Sequence, residues 1–239
     1  MYKKQILLFA LVIIIILIGA YYFVKQNNKD EFYFYQKIDE NPNCDFPIEF
    51  THHFTDVNTI DSIIPPVFRN SKGTMPTTLI NIDGEAPLYM PTSGKLIQGS
   101  YHTEQGAEFY MWEVDVGCGV TIVFDHVTEP IEKIRKLFPD IPRNDSRTDF
   151  FNSILEMEAG ELVGYTTGTV NAHNWNFAVY NSSEKNYLFE TGEFAQYPKY
   201  FTQVCPFKYY NESAAELYKE LFVLSDKDIV VEKNLCDDS

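Results

Sequence analysis

The sequence predicts a mainly β domain with inserted helices and a C-terminal helix, preceded by one N-terminal transmembrane helix. Three observations carry this. Residues 5–24 form an uncharged, apolar run of the length an α-helix needs to span a bilayer. Residues 108–127 hold two segments rich in β-branched and aromatic side chains around a Gly-Cys-Gly turn. The stretch "NAHNWNFAVY" (171–180) alternates as a half-buried strand does, with Asn174 and Asn176 on one face and Trp175, Phe177 and Val179 on the other.

Taken in order, residues 1–25 read as a membrane anchor. The apolar run exceeds the roughly 7–15 residues of a cleaved secretory signal. It ends in Tyr21, Tyr22 and Phe23, rings suited to a membrane interface. Residues 26–43 are a polar stalk, and residues 44–239 form the domain, expected outside the cytoplasm. Short strands and turns are expected over 57–99, where Pro and Thr separate brief apolar runs. "EFYMWEVDV" and "GVTIVFDHV" then predict a hairpin over 108–127.

Two helices are expected next. In "TEPIEKIRKLF", Thr128 suits a cap, Pro130 the first turn, and Ile131, Ile134 and Leu137 one face. In "SRTDFFNSILEM", Phe150, Ile154 and Met157 recur at helical spacing. "AGELVGY" and "NWNFAVY" resume the β pattern, and "NESAAELYKELFVL" predicts the C-terminal helix.

Cys44, Cys118, Cys205 and Cys236 are even in number and lack CxxC spacing, which favours disulfides in an oxidising compartment over zinc. Of the three possible pairings, the expected one joins Cys118 to Cys205 and Cys44 to Cys236. The net charge is −15, and −17 for the chain beyond Val24, because Lys3 and Lys4 are the only charged residues before that point. Such a surface repels polyanions, so nucleic acid is excluded as a partner.

Three pieces in order carry a family resemblance: "APLYMPTSGKLIQG" (86–99), "VTIVFDHV" (120–127) and "AGELVGYTTGTVNAHNWNFAVY" (159–180). Together, over roughly residues 60–185, they resemble the lysostaphin/LytM-type zinc metallopeptidases, which cut peptide cross-links of bacterial cell walls. "MPT" at 75–77 and the Cys-Pro of "VCPFKYY" resemble a degenerate branch of that family. The resemblance implies a duplicated-hybrid-motif β-sandwich or barrel. It also implies that His126 stands where the family has its catalytic histidine, while Asn174 and Asn176 stand where a His-x-His pair supplies zinc. The family's His-x-x-x-Asp motif would fall near residues 73–79, which read "GTMPTTL". An amide lacks the soft, basic lone pair that imidazole offers zinc, so no metal or other cofactor is expected.

The remaining polar residues have plainer readings. His52 and Asp56 keep the His-x-x-x-Asp spacing but lie too far upstream. His102 is expected in a solvated loop, His173 at a strand entry, and His126 on the face of Ile122 and Phe124. Glu85, Glu113, Asp115 and Asp125 are carboxylates on or near the same strands, with no spacing that singles out a pair. The expectation is a non-catalytic, metallopeptidase-like domain that binds a cell-envelope protein or wall peptide through Asn174, Asn176 and His126, as a scaffold or hydrolase activator. Two alternatives stand beside it: a zinc endopeptidase with relocated ligands, and a purely structural surface protein.

Overall fold

Strand-forming sequence dominates from residue 60 onward and sets the architecture. A computed structural model describes residues 47–71, 73–192, 194–226 and 228–237, all within the compact unit Asn43–Ser239. The strands run β1 (Ile60–Ile64), β2 (Phe68–Asn70), β3 (Gly73–Met75), β4 (Leu79–Ile82), β5 (Ala86–Tyr89), β6 (Gly94–Glu104), β7 (Ala107–Gly117) and β8 (Val120–Val127). They continue as β9 (Glu129–Pro130), β10 (Asp149–Met157), β11 (Leu162–Thr166), β12 (Asn174–Asn181), β13 (Gln203–Val204), β14 (Ser225–Asp226) and β15 (Ile229–Val230). The helices are short: α1 (Glu132–Arg135), α2 (Leu188–Thr191) and α3 (Glu212–Lys219), with three 3-10 turns.

The main sheet has the order β1-β4-β12-β8-β7-β6-β10, with β13 added to β12 and every pairing antiparallel. A three-stranded sheet, β5-β11-β9, and a four-stranded one, β14-β15-β2-β3, accompany it. The expected 108–127 hairpin forms from β7 and β8, with Gly117, Cys118 and Gly119 all at positive φ in its turn. β6 and β7 meet through Gln105-Gly106, a two-residue loop with both φ values positive, the turn whose twist matches that of paired strands.

One face of the main sheet makes the core. Trp175, Phe177 and Val179 of β12, Ile122 and Phe124 of β8, Trp112 and Val114 of β7 and Ile80 of β4 are all fully buried. Phe54, Phe207 and Tyr218 close over them, with Phe54 stacked on Phe177 at 4.2 Å and on Tyr218 at 5.1 Å. The alternation read in 174–180 holds for the inward side chains Trp175, Phe177 and Val179, while the other face, half-buried at Asn174 and Asn176, becomes buried as well at Ala178 and Tyr180. The expected C-terminal helix forms as α3, capped by Asn211, whose side chain accepts the Ala214 N–H.

Several expectations are corrected. The 128–138 helix shrinks to the single turn of α1, since Glu129 and Pro130 pair with Gly164 and Tyr165 of β11 instead. The helix expected over 146–157 is the edge strand β10. Phe151, Leu155 and Met157 pack toward the core, whereas Phe150 and Ile154, two members of the supposed helical stripe, are exposed. Asn and Ser at 152–153 support a helix poorly, and the open edge of β6 offers the backbone partners a strand needs.

The cysteine pairing also differs. Cys205 bonds Cys236, tying the chain end to the Cys-Pro turn, and Cys118 is disulfide-bonded as well, so the expected Cys118–Cys205 and Cys44–Cys236 links do not form. Cys44 itself and the residues expected to form a membrane anchor and a stalk lie outside the described residues. No helix among the described residues is long and apolar enough to cross a membrane.

Candidate functional site

The second face of the main sheet carries a small buried apolar patch, Val123, Ala178 and Tyr180 with Met111 and Tyr200 packed on it, and polar side chains gather beyond it at one end of β6, β7, β8 and β12. A regular β8 would aim His126 inward with Ile122 and Phe124. The register shows otherwise: Phe124 pairs with Trp112 and Val127 with Tyr110, so Asp125 and His126 together oppose Met111 alone. This is a β-bulge, and His126 takes a left-handed φ of 62° within it. An extra residue in that conformation rotates the following side chain across the sheet. His126 therefore joins Asp125 and Asn176 on the outer face, a correction to the inward placement expected from simple alternation.

The contacts define a closed network. The His126 Nε2 lies 3.2 Å from Glu104 Oε2, and Nδ1 lies 3.4 Å from both Asp125 Oδ2 and Asn176 Nδ2. Asn176 Nδ2 donates to Asp125 Oδ2 at 3.0 Å, and Asp125 Oδ1 accepts the His126 N–H at 2.7 Å. The Phe109 ring meets the imidazole edge to face at 5.2 Å. Thr166 donates to the His126 carbonyl at 2.6 Å, fixing the bulge from β11. A neutral ring protonated on Nε2 satisfies Glu104 and Asn176, and a doubly protonated ring satisfies Glu104 and Asp125.

Asn174 stands further along the same strand face, paired with Asn81, and accepts a hydrogen bond from Thr169 at 2.9 Å. The structure thus brings Asn176 and His126 into contact and leaves Asn174 beside them, engaged elsewhere. Asn176 Oδ1 is buried without a hydrogen-bond partner. His102, expected in a solvated loop, lies in β6 and is 3% exposed, with Nδ1 bonded to Ser100 at 3.0 Å. Burial lowers its pKa below 6.5, partly offset by Asp125, Glu104 and Asp145.

Other candidates are committed locally. Asp56 caps a 3-10 turn through Asn58, and His52 is exposed beside Gly160 and bonds Thr51. His173 precedes β12 with φ 49°, its carbonyl accepting the Ile82 N–H. Glu85 is exposed, and Asp115 accepts the Gly117 N–H in the hairpin turn. Glu113 is buried and pairs with Lys199, whose 3-10 turn (Pro198–Thr202) lays Tyr200 against Val123, Ala178 and Tyr180. Burial raises the Tyr200 phenol above its usual value, and Tyr197, Asp125 and Glu113 add to the effect.

Glu104 and Phe109 are the participants that sequence reasoning missed. Glu104 belonged to a stretch read as a loop, and no local pattern marks it as facing a histidine 22 residues on.

The donor set does not fit zinc. Both nitrogens of His126 are engaged by the neighbouring carboxylates and amide, Asn176 uses its amide as a donor to Asp125, and the acceptor that Asn176 leaves without a partner is an amide oxygen. Among the described residues no three His, Cys, Asp or Glu side chains gather closely enough to hold a metal ion. Comparisons of the chain with protein-family models, with curated proteins and with solved structures return no match.

Proposed function

We propose that this chain is a membrane-tethered, extracytoplasmic, non-catalytic domain of the lysostaphin/LytM metallopeptidase type, with a duplicated-hybrid-motif fold. It binds a cell-envelope protein or wall peptide through the face of Asn174, Asn176 and His126, as a scaffold or an activator of a wall hydrolase. The observation that carries this reading is the network itself: where such an enzyme needs imidazoles converging on a metal, Asn176 instead bonds Asp125, and His126 lies between two carboxylates. Glu104 keeps 43% of its side chain exposed beside this network, leaving polar acceptors open to a ligand. The Cys205–Cys236 bond supports an oxidising compartment.

The test is capture from solubilised envelopes with the full chain in detergent, comparing wild type with Asn176→Leu and His126→Ala. The reading expects specific partners or wall fragments that both variants lose. Identical capture by all three overturns it. A second reading, a purely structural surface domain, is favoured by Lys199 and Tyr200, which already cover part of this face. It predicts that wild type and variants alike capture nothing.

A further inference from the structure

A separate cavity lies at the β10 edge of the main sheet, where β10 leaves β6. The two strands pair at Asp149–Phe150 and again at Leu155–Met157, yet only one residue of β6 spans the interval that takes four in β10. The surplus backbone arches away. Between β6, the segment after α1 and the start of this arch lies a cavity of about 390 Å³, the size that admits a small organic molecule.

We propose that this cavity binds a small organic carboxylate carrying an aromatic or branched apolar body. Phe138 and Phe151 supply the apolar wall, their rings edge to face at 5.1 Å. Gly99 permits this closeness, since a Cβ there would lie 2.8 Å from each ring. Tyr101, also lining the cavity, is held by stacking on Tyr110 at 4.3 Å and by the Arg135 guanidinium 5.2 Å above its ring. The lining is therefore set by packing rather than assembled by a ligand.

The polar part of the lining selects the charge. Lys136 and Arg143 both face the cavity, in a chain whose net charge is −15. Lys136 pairs with Glu132 at 2.6 Å, with side chains 70% and 83% exposed, a pair weak enough to exchange for a ligand carboxylate. Arg143 contacts Asp149 through Nη2, with Asp145 also in its field, and its side chain stays 44% exposed, so its guanidinium can reach a ligand carboxylate as well. Anions are repelled over most of this surface. Here Lys136 and Arg143 outnumber the one carboxylate of the lining, Asp149, so the part-apolar, part-polar cavity keeps a net positive lining that a carboxylate with an apolar body can pair with. Phe150, 53% exposed and part of the lining, extends the apolar surface outward.

The test titrates the full chain in detergent micelles with N-acetyl-4-fluorophenylalanine and with its neutral amide, following ¹⁹F line broadening against protein-free micelles. The acid is expected to bind roughly tenfold tighter than the amide. The double variant Lys136→Gln/Arg143→Gln should weaken the acid to the level of the amide and leave the amide unchanged. Asn152→Trp, which fills the cavity from its rim, should remove both. Far-UV circular dichroism confirms that each variant folds, and a variant that does not is replaced by Lys136→Met/Arg143→Met or Asn152→Phe. The proposal is overturned if the acid broadens no more than in empty micelles, if acid and amide bind equally, or if binding survives loss of both cations.

Discussion

His126 gives the sharpest test of how the site is built, because its placement depends on one backbone conformation. At φ 62° any L-residue pays about 1 kcal/mol relative to glycine. In an ordinary strand the order reverses, with glycine the less stable by about 0.5–1 kcal/mol. His126→Ala and His126→Gly lose the same groups: the Glu104 and Asp125 pairings, worth about 0.2–1 kcal/mol each, and the Phe109 ring contact, worth about 0.5–1.5 kcal/mol. Both variants should therefore be destabilised, His126→Ala by about 1–3 kcal/mol, while His126→Gly recovers about 1 kcal/mol of that.

The assay is urea unfolding of the full chain followed by tryptophan fluorescence, since Trp112 and Trp175 are both fully buried. With a slope of about 2–3 kcal/mol/M, the glycine variant's midpoint should lie about 0.3–0.5 M above the alanine variant's. An alanine variant equal to or more stable than the glycine one refutes the bulge, and with it the outward orientation of His126.

Further expectations concern the frame around the site. Replacing Cys205 and Cys236 by serine frees a loop with a sequence separation of 31 and should cost about 3–4 kcal/mol. Non-reducing peptide mapping should recover the Cys205–Cys236 link, and a Cys118–Cys205 peptide would contradict the structure. Gly99→Ala places a Cβ 2.5 Å from the Met111 carbonyl, which belongs to the neighbouring strand. It should destabilise by about 1–3 kcal/mol in the same unfolding assay. Because the folded-state pKa of His102 is lowered by burial, the unfolded chain takes up that proton first, so its share of stability is lost as pH falls from about 6.5 toward the folded value. His102→Gln should flatten this limb of the stability profile, and an unchanged slope would show that His102 does not titrate this way.

Much of the architecture was legible where one periodicity had no rival. The β7–β8 hairpin follows from β-branched and aromatic runs about a glycine turn, and the inward side of β12 follows from Trp175, Phe177 and Val179. The strand β10 was not legible, because Phe150, Ile154 and Met157 fit a helical spacing while Phe151, Leu155 and Met157 fit a strand one. The choice fell to a tertiary partner, the edge of β6. His102 was misread for a similar reason, its polar neighbours hiding that β6 runs on to Glu104.

At the site, sequence spacing placed Asn176 correctly on the outer face but turned His126 to the wrong side. One inserted residue in β8 reverses the parity of everything beyond it, and the sequence carries no mark of the insertion. Cysteine pairing is likewise a matter of which ends the fold brings together, which residue spacing alone leaves open.

The most direct test of the central claim, that this face is an amide–carboxylate–imidazole network and not a metal centre, is the zinc content of the full chain. The protein is purified, incubated with excess zinc, dialysed against metal-free buffer and measured by mass spectrometry of the elements. The account predicts far less than one zinc per chain, unchanged by His126→Ala. One retained zinc per chain that disappears with His126→Ala would contradict it.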